Sequence, residues 1–232
     1  MADKKDSQFL QRFFKTGIGQ YGEGDIFLGI RVPVLRKLSR EYKTLQSAEV
    51  LPLLQSPYHE ERLFALIILV NAFAKGDEAL RKQIYDLYLA NTKYINNWDL
   101  VDISAPNIVG AFLMNKNRKS LYQLAKSKSL WERRIAVLAT FYFIRQNQFT
   151  DTIQIAELLV RERDTEDLIH KATGWMLREV GKRDMQYAEL FLQKHCKEMP
   201  RTMLRYAIEK FPPAKRQKYL YQKEKMKNGN EI

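Results

Sequence analysis

Alanine recurs at a near-constant interval in segments that read as helix, and that repeat constrains the fold more than any other feature. PYHEERLFALIILVNAFAKGD and LWERRIAVLATFYFIRQNQFTD share a Glu, an Arg and a central Ala, followed by an apolar face. Ala65 and Ala136 are the equivalent positions, 71 residues apart, or twice 35.5. Ala172 and Ala207 follow after 36 and 35 residues, and Ala105, in WDLVDISAPN, falls between the first two. A helix pair returning every roughly 35–40 residues is the mark of a helical solenoid. A small residue on the inner face of each pair lets neighbouring layers approach closely.

Apolar spacing near 3.6 residues predicts helices over 60–74, 78–90, 131–145, 152–161, 167–180 and 185–197. Phe9, Leu10, Phe13 and Phe14 give the same spacing over 7–16. Pro33 reads as the first residue of a helix carrying Val34, Leu35 and Leu38, and Pro200 and Pro212 as openings of short helices. Strand alternation bounded by turn residues is hard to find. The expected fold is all-α: an α-α superhelix of helical repeats of the HEAT or armadillo kind, one curved domain over 1–232 with room for about four to six helix pairs. Residues 17–32 read as a glycine-containing loop and 213–232 as a basic tail.

Thirty-nine Lys and Arg against 27 Asp and Glu leave a net charge of +12. That excess points to a polyanionic partner, nucleic acid first. A basic trough along a solenoid would meet phosphates over a long contact. The longest apolar run is far short of the roughly 20 residues a membrane helix needs. The stretch MADKKDSQFLQRFF has no apolar region followed by a small-residue cleavage site, so export is not expected, and the single Cys196 forms no internal disulfide. Together these point to a reducing interior, so a cytoplasmic protein is expected.

Several familiar signals fail on context. Gly17-Ile-Gly-Gln-Tyr-Gly22 has the letters of a dinucleotide fingerprint, but a helix precedes it where a strand is required. His59, His170 and His195 are scattered, so no metal site is expected. The three tryptophans are more informative. Asn96 or Asn97 can cap a helix opening Trp98-Asp99-Leu100-Val101-Asp102, which places Trp98 and Asp102 at i and i+4 on one face. Trp131 and Arg134, like Trp175 and Arg178, stand three apart on two other helices, with Trp131 assigned to the core. Indoles and basic groups around one carboxylate suit a site that holds a sugar or base by its face.

NWDLVD at 97–102, WERRIA at 131–136 and KATGWMLRE at 171–179 resemble the motifs of the AlkD-type DNA alkylation repair enzymes, DNA glycosylases built of HEAT-like repeats. FLGIRVP at 27–33 with Arg36 is similar to that family's N-terminal motif, and the likeness runs from about Phe9 to Lys210. The resemblance implies hydrolysis of the N-glycosidic bond of cationic alkylpurines, N3-methyladenine and N7-methylguanine, in duplex DNA. Asp102 would be the catalytic carboxylate, Trp98 and Trp175 would cradle the deoxyribose, and Arg134 would contact DNA. Arg133, Arg178, Lys171, Arg31 and Arg36 would join it on the phosphates. No metal, cofactor, membrane or obligate protein partner is implied, and a monomer is expected. The glycine-rich 17–24 stretch departs from the family pattern. Two other readings fit the charge or the repeat: a non-catalytic solenoid binding distorted or branched DNA or structured RNA, and a protein-interaction scaffold.

Overall fold

Asp3 opens the first helix, its carboxylate accepting the Asp6 N–H at 2.8 Å and so capping α1 (Lys4–Phe13). The computed structural model describes residues 2–42 and 47–228, and all their side chains but those of 47–48 and 223–228. Of the basic tail, the side chains from Lys223 onward and residues 229–232 altogether therefore lie outside the described residues. Contacts gather into two compact units, residues 1–112 and 113–232.

In the first unit α2 (Val32–Glu41) carries Pro33 in its opening turn, where a missing N–H costs nothing. There follow α3 (Ser47–Leu54), α4 (His59–Lys75) and α5 (Glu78–Ala90), the last capped by Asp77. A short turn of 3₁₀ helix, Thr92–Tyr94, leads to α6 (Trp98–Ser104), a π-helical stretch Pro106–Gly110 and the single turn α7 (Ala111–Leu113). Helix α4 packs against α2, α3 and α6.

The second unit holds α8 (Lys119–Ala125), α9 (Leu130–Arg145), α10 (Thr150–Arg161), α11 (Asp167–Arg183), α12 (Met185–His195), α13 (Arg201–Ala207) and α14 (Pro213–Asn228). Helix α11 packs against both α9 and α13. A Cβ on Gly174 would stand 2.5 Å from the Met203 carbonyl oxygen, so only glycine permits the close approach of α11 to α13.

The fold is an all-α helical repeat, and the recurring alanines mark its seams. Ala65, Ala105, Ala136, Ala172 and Ala207 are all buried. Among the described residues an isolated bridge between Ile26 and Tyr58 takes the place of any strand. The glycine-rich loop is wound into successive tight turns: Gln20 N–H to Gly17, Glu23 to Gln20 and Asp25 to Gly22, at 3.0–3.1 Å. It follows α1, not a strand, so the dinucleotide reading fails on geometry too. Helix α14, expected to be short, runs 16 residues. Among the described residues no helix is long and apolar enough to cross a membrane.

Candidate functional site

Helix α6 is set in place at its first residue. Asn97 Oδ1 accepts the Trp98 N–H at 2.8 Å, while Asn97 Nδ2 donates to Asp25 Oδ2 at 2.9 Å. Asn97 is thus the cap, fully buried, and it ties the helix start to the end of the glycine-rich loop. Trp98 is half-buried, stacked on Phe14 with ring centroids 5.2 Å apart. One turn later Asp102, also half-buried, shares its face. Burial pushes the Tyr88 phenol well above its ordinary range, and the negative charge of Asp102 adds to the effect.

Beneath Trp98 lies a charged network that the sequence pattern does not show. His59 opens α4 and packs in a cluster of three rings, stacked on Phe27 at 4.4 Å and tilted against Phe14 at 5.1 Å, with Phe14 and Phe27 themselves 4.9 Å apart. Its Nδ1 meets Asp25 Oδ2 at 3.1 Å and its Nε2 meets Asp99 Oδ2 at 2.9 Å. Ionised carboxylates only accept, so both ring nitrogens must donate and His59 is an imidazolium. Burial opposes that charge, but the two carboxylates outweigh it and raise the pKa to about 9. Asp25 is held below the ordinary carboxylate range despite its burial, by His59, Arg62 and Asn97. Arg62 also donates to the Ser56 and Pro57 carbonyls.

Next to His59, the buried Glu60 fixes the N-terminal motif. Its carboxylate accepts the N–H groups of Leu28, Gly29 and Ile30 at 2.9, 2.8 and 3.2 Å. Gly29 has φ +83°, and a Cβ there would stand 2.1 Å from the Asp3 carbonyl oxygen. Glycine is therefore required where this strap passes α1.

In the second unit Trp175 is half-buried on α11, with Nε1 donating to Glu179 Oε1 at 3.3 Å and Phe141 5.8 Å away. Glu179 is buried and meets Lys182 at 2.6 Å and Arg178 and Arg183 at 3.6 Å. Arg178 also pairs with Glu209. Arg134 is 5% exposed and donates to the Leu168 carbonyl at 2.6 Å. Arg133 binds Asp164 at 2.6 Å and the Ser127 and Lys128 carbonyls at 2.9 Å. Trp131, placed in the core by its sequence, is half-buried at the second position of α9.

The basic residues thus divide. Arg133 and Arg134 are held inside by protein acceptors. Lys171, paired with Asp167 at 2.6 Å, stays accessible, as does Arg31, bidentate on Asp6 at 2.6 and 2.7 Å. Arg36 is exposed and, with Ser39, Arg40, Ile67, Asn71 and Lys75, lines a hollow of about 210 Å³ between α2 and α4. Within the first unit Trp98, Asp99 and Asp102 stand on α6, whose start is tied by Asn97 to Asp25 and by Asp99 to His59. Among the described residues no three His, Cys, Asp or Glu side chains gather as a metal would require.

The family model for the DNA alkylation repair enzyme matches residues 1–211. Among solved structures, a predicted DNA alkylation repair enzyme from Enterococcus faecalis superposes with a TM-score of 0.68 at 15% identity, covering 92% of this chain and 98% of that one. At that identity the likeness speaks for the fold. A search of curated proteins finds no match.

Proposed function

Because this chain belongs to the DNA alkylation repair enzyme family, we propose that it hydrolyses the N-glycosidic bond of N3-methyladenine and N7-methylguanine in duplex DNA. The observation that carries this reading is the Trp98–Asp102 pair, on one face of a helix whose start is locked from beneath by Asn97, Asp99 and His59. A carboxylate meant to act on a sugar must be held still, and this one stands on a pinned helix.

The chemistry asks little else of the protein. An alkylpurine cation takes the electron pair of the breaking C1′–N bond and leaves neutral, without a general acid. Positive charge grows on the deoxyribose, and Asp102 stabilises it electrostatically. Water then attacks C1′ and gives up its proton, with Asp102 as the acceptor. Trp98, one turn from Asp102, offers an indole face that favours the cationic sugar. Lys171, Arg31 and Arg36 take phosphates, while Arg133, Arg134 and Arg178 hold α9 and α11 in position. The partner is alkylated duplex DNA, bound by a monomer.

Release of N3-methyladenine and N7-methylguanine from methylated duplex, by wild type and Asp102→Asn, tests the reading. Wild type should release both above the spontaneous rate, and Asp102→Asn should be slower by about a hundredfold or more. No release by wild type leaves a non-catalytic DNA-binding protein. Full activity in Asp102→Asn removes the mechanism.

A further inference from the structure

Helix α1 buries none of its residues, yet two of its aromatic rings are held in a fixed row. Phe9 and Phe13, one turn apart, stack with centroids 6.1 Å apart and planes 16° from parallel. Phe13 meets Trp98 edge-on at 6.1 Å. Phe14 turns inward, stacked between Trp98 and Phe27, whereas Phe9 and Phe13 remain 48% and 53% exposed. The Arg31 guanidinium lies 5.8 Å from the Phe9 ring at the outer end of the row. Lys4, Lys5, Arg12 and Lys15, on α1 and just beyond it, are exposed.

We infer that Phe9 and Phe13 form a stacking platform, continuous with Trp98, for one unstacked nucleobase beside the lesion site. Exposed aromatics interleaved with cations are the arrangement that binds nucleotides from both sides, rings on the base and charges on the backbone. The flanking cations favour a polyanion over an apolar protein surface. The row begins at Trp98, so a nucleotide lying along it continues the strand whose sugar faces Asp102. This rests on DNA being the ligand, and it gives the N-terminal helix a role that no catalytic residue fills.

The test needs no lesion and no bond cleavage. Affinities are measured by fluorescence anisotropy, over a range of salt, for a plain duplex and for the same duplex with one bulged adenine. Wild type should prefer the bulged probe. Phe9→Ala/Phe13→Ala should lose about tenfold on that probe, with little change on plain duplex and an unchanged salt slope. Phe9→Tyr/Phe13→Tyr should keep the preference and Phe9→Leu/Phe13→Leu should lose it, and this pair carries the comparison if the alanine variant melts early. The inference fails if wild type shows no bulge preference, if the alanine variant keeps it, or if leucine serves as well as tyrosine. It also fails if sedimentation shows that the row is buried between two copies. A protein that keeps the bulge preference but releases no methylated purine loses only the glycosylase reading.

Discussion

His59 carries a positive charge in a place where water cannot reach it, and its neighbours decide whether that charge survives. Asp25 faces it from the loop before the N-terminal strap and Asp99 from α6, Arg62 on its own helix pairs with Asp25, and Phe14 and Phe27 pack against the ring. Glu60, adjacent in sequence, spends its carboxylate on backbone N–H groups instead. The folded pKa of about 9 is raised above the ordinary 6.5. The folded protein therefore binds this proton more tightly than the unfolded chain does. The resulting stability is complete below about pH 6.5 and fades as pH climbs through about 9, a change on the order of 3 kcal/mol. Urea unfolding of wild type at pH 6, 7.5 and 9.5 should show that decline, and His59→Gln should flatten it. A flat profile in wild type would mean that His59 is not an imidazolium.

At the scale of elements, one device appears twice. Arg62 donates to carbonyls five and six residues before it and pairs with Asp25; Arg133 does the same with Lys128, Ser127 and Asp164. Each stands three residues before a repeat alanine, Ala65 or Ala136, so the helix start and the seam recur together. Arg133→Ala leaves the Asp164 carboxylate, which is 5% exposed, without its cation and with the Glu166 N–H still donating to it, and should cost about 3 kcal/mol in chemical unfolding. Asp164→Ala added to it should recover part of that loss. If the double variant is less stable than the single one by the full cost of Asp164→Ala, the two residues are not coupled. Periodicity made the long helices legible, and the bounds 78–90 coincide with α5. It left out α3, interrupted by Pro52, and α8, whose 7 residues carry too few turns to show a period. Trp98 and Asp102 were legible because they sit one turn apart on a single helix. The His59 network was not, because its carboxylates come from residues 34 and 40 positions away and meet only on folding.

For the molecule as a whole, +12 fixes the sign of the partner but not which cations touch it. Burial decides that. Arg134 belongs to the motif and is spent on the Leu168 carbonyl, whereas Arg36 opens to solvent beside Arg40 and Lys75. Each phosphate neutralised contributes about 0.9 to the slope of log K against log salt. Arg36→Ala and Lys171→Ala should each reduce that slope by about one, equally on methylated and plain duplex, because phosphates carry no record of the base. Arg134→Gln should leave the slope in place and lower the melting temperature, since losing a charge-assisted hydrogen bond to a buried carbonyl costs about 2 kcal/mol, or about 4–8 °C in a chain of this length. A reduced slope with an unchanged melting temperature in Arg134→Gln would return that arginine to the DNA surface. The reverse pattern at Arg36 would make the hollow between α2 and α4 a structural feature, with the phosphate contacts to be sought elsewhere on the chain.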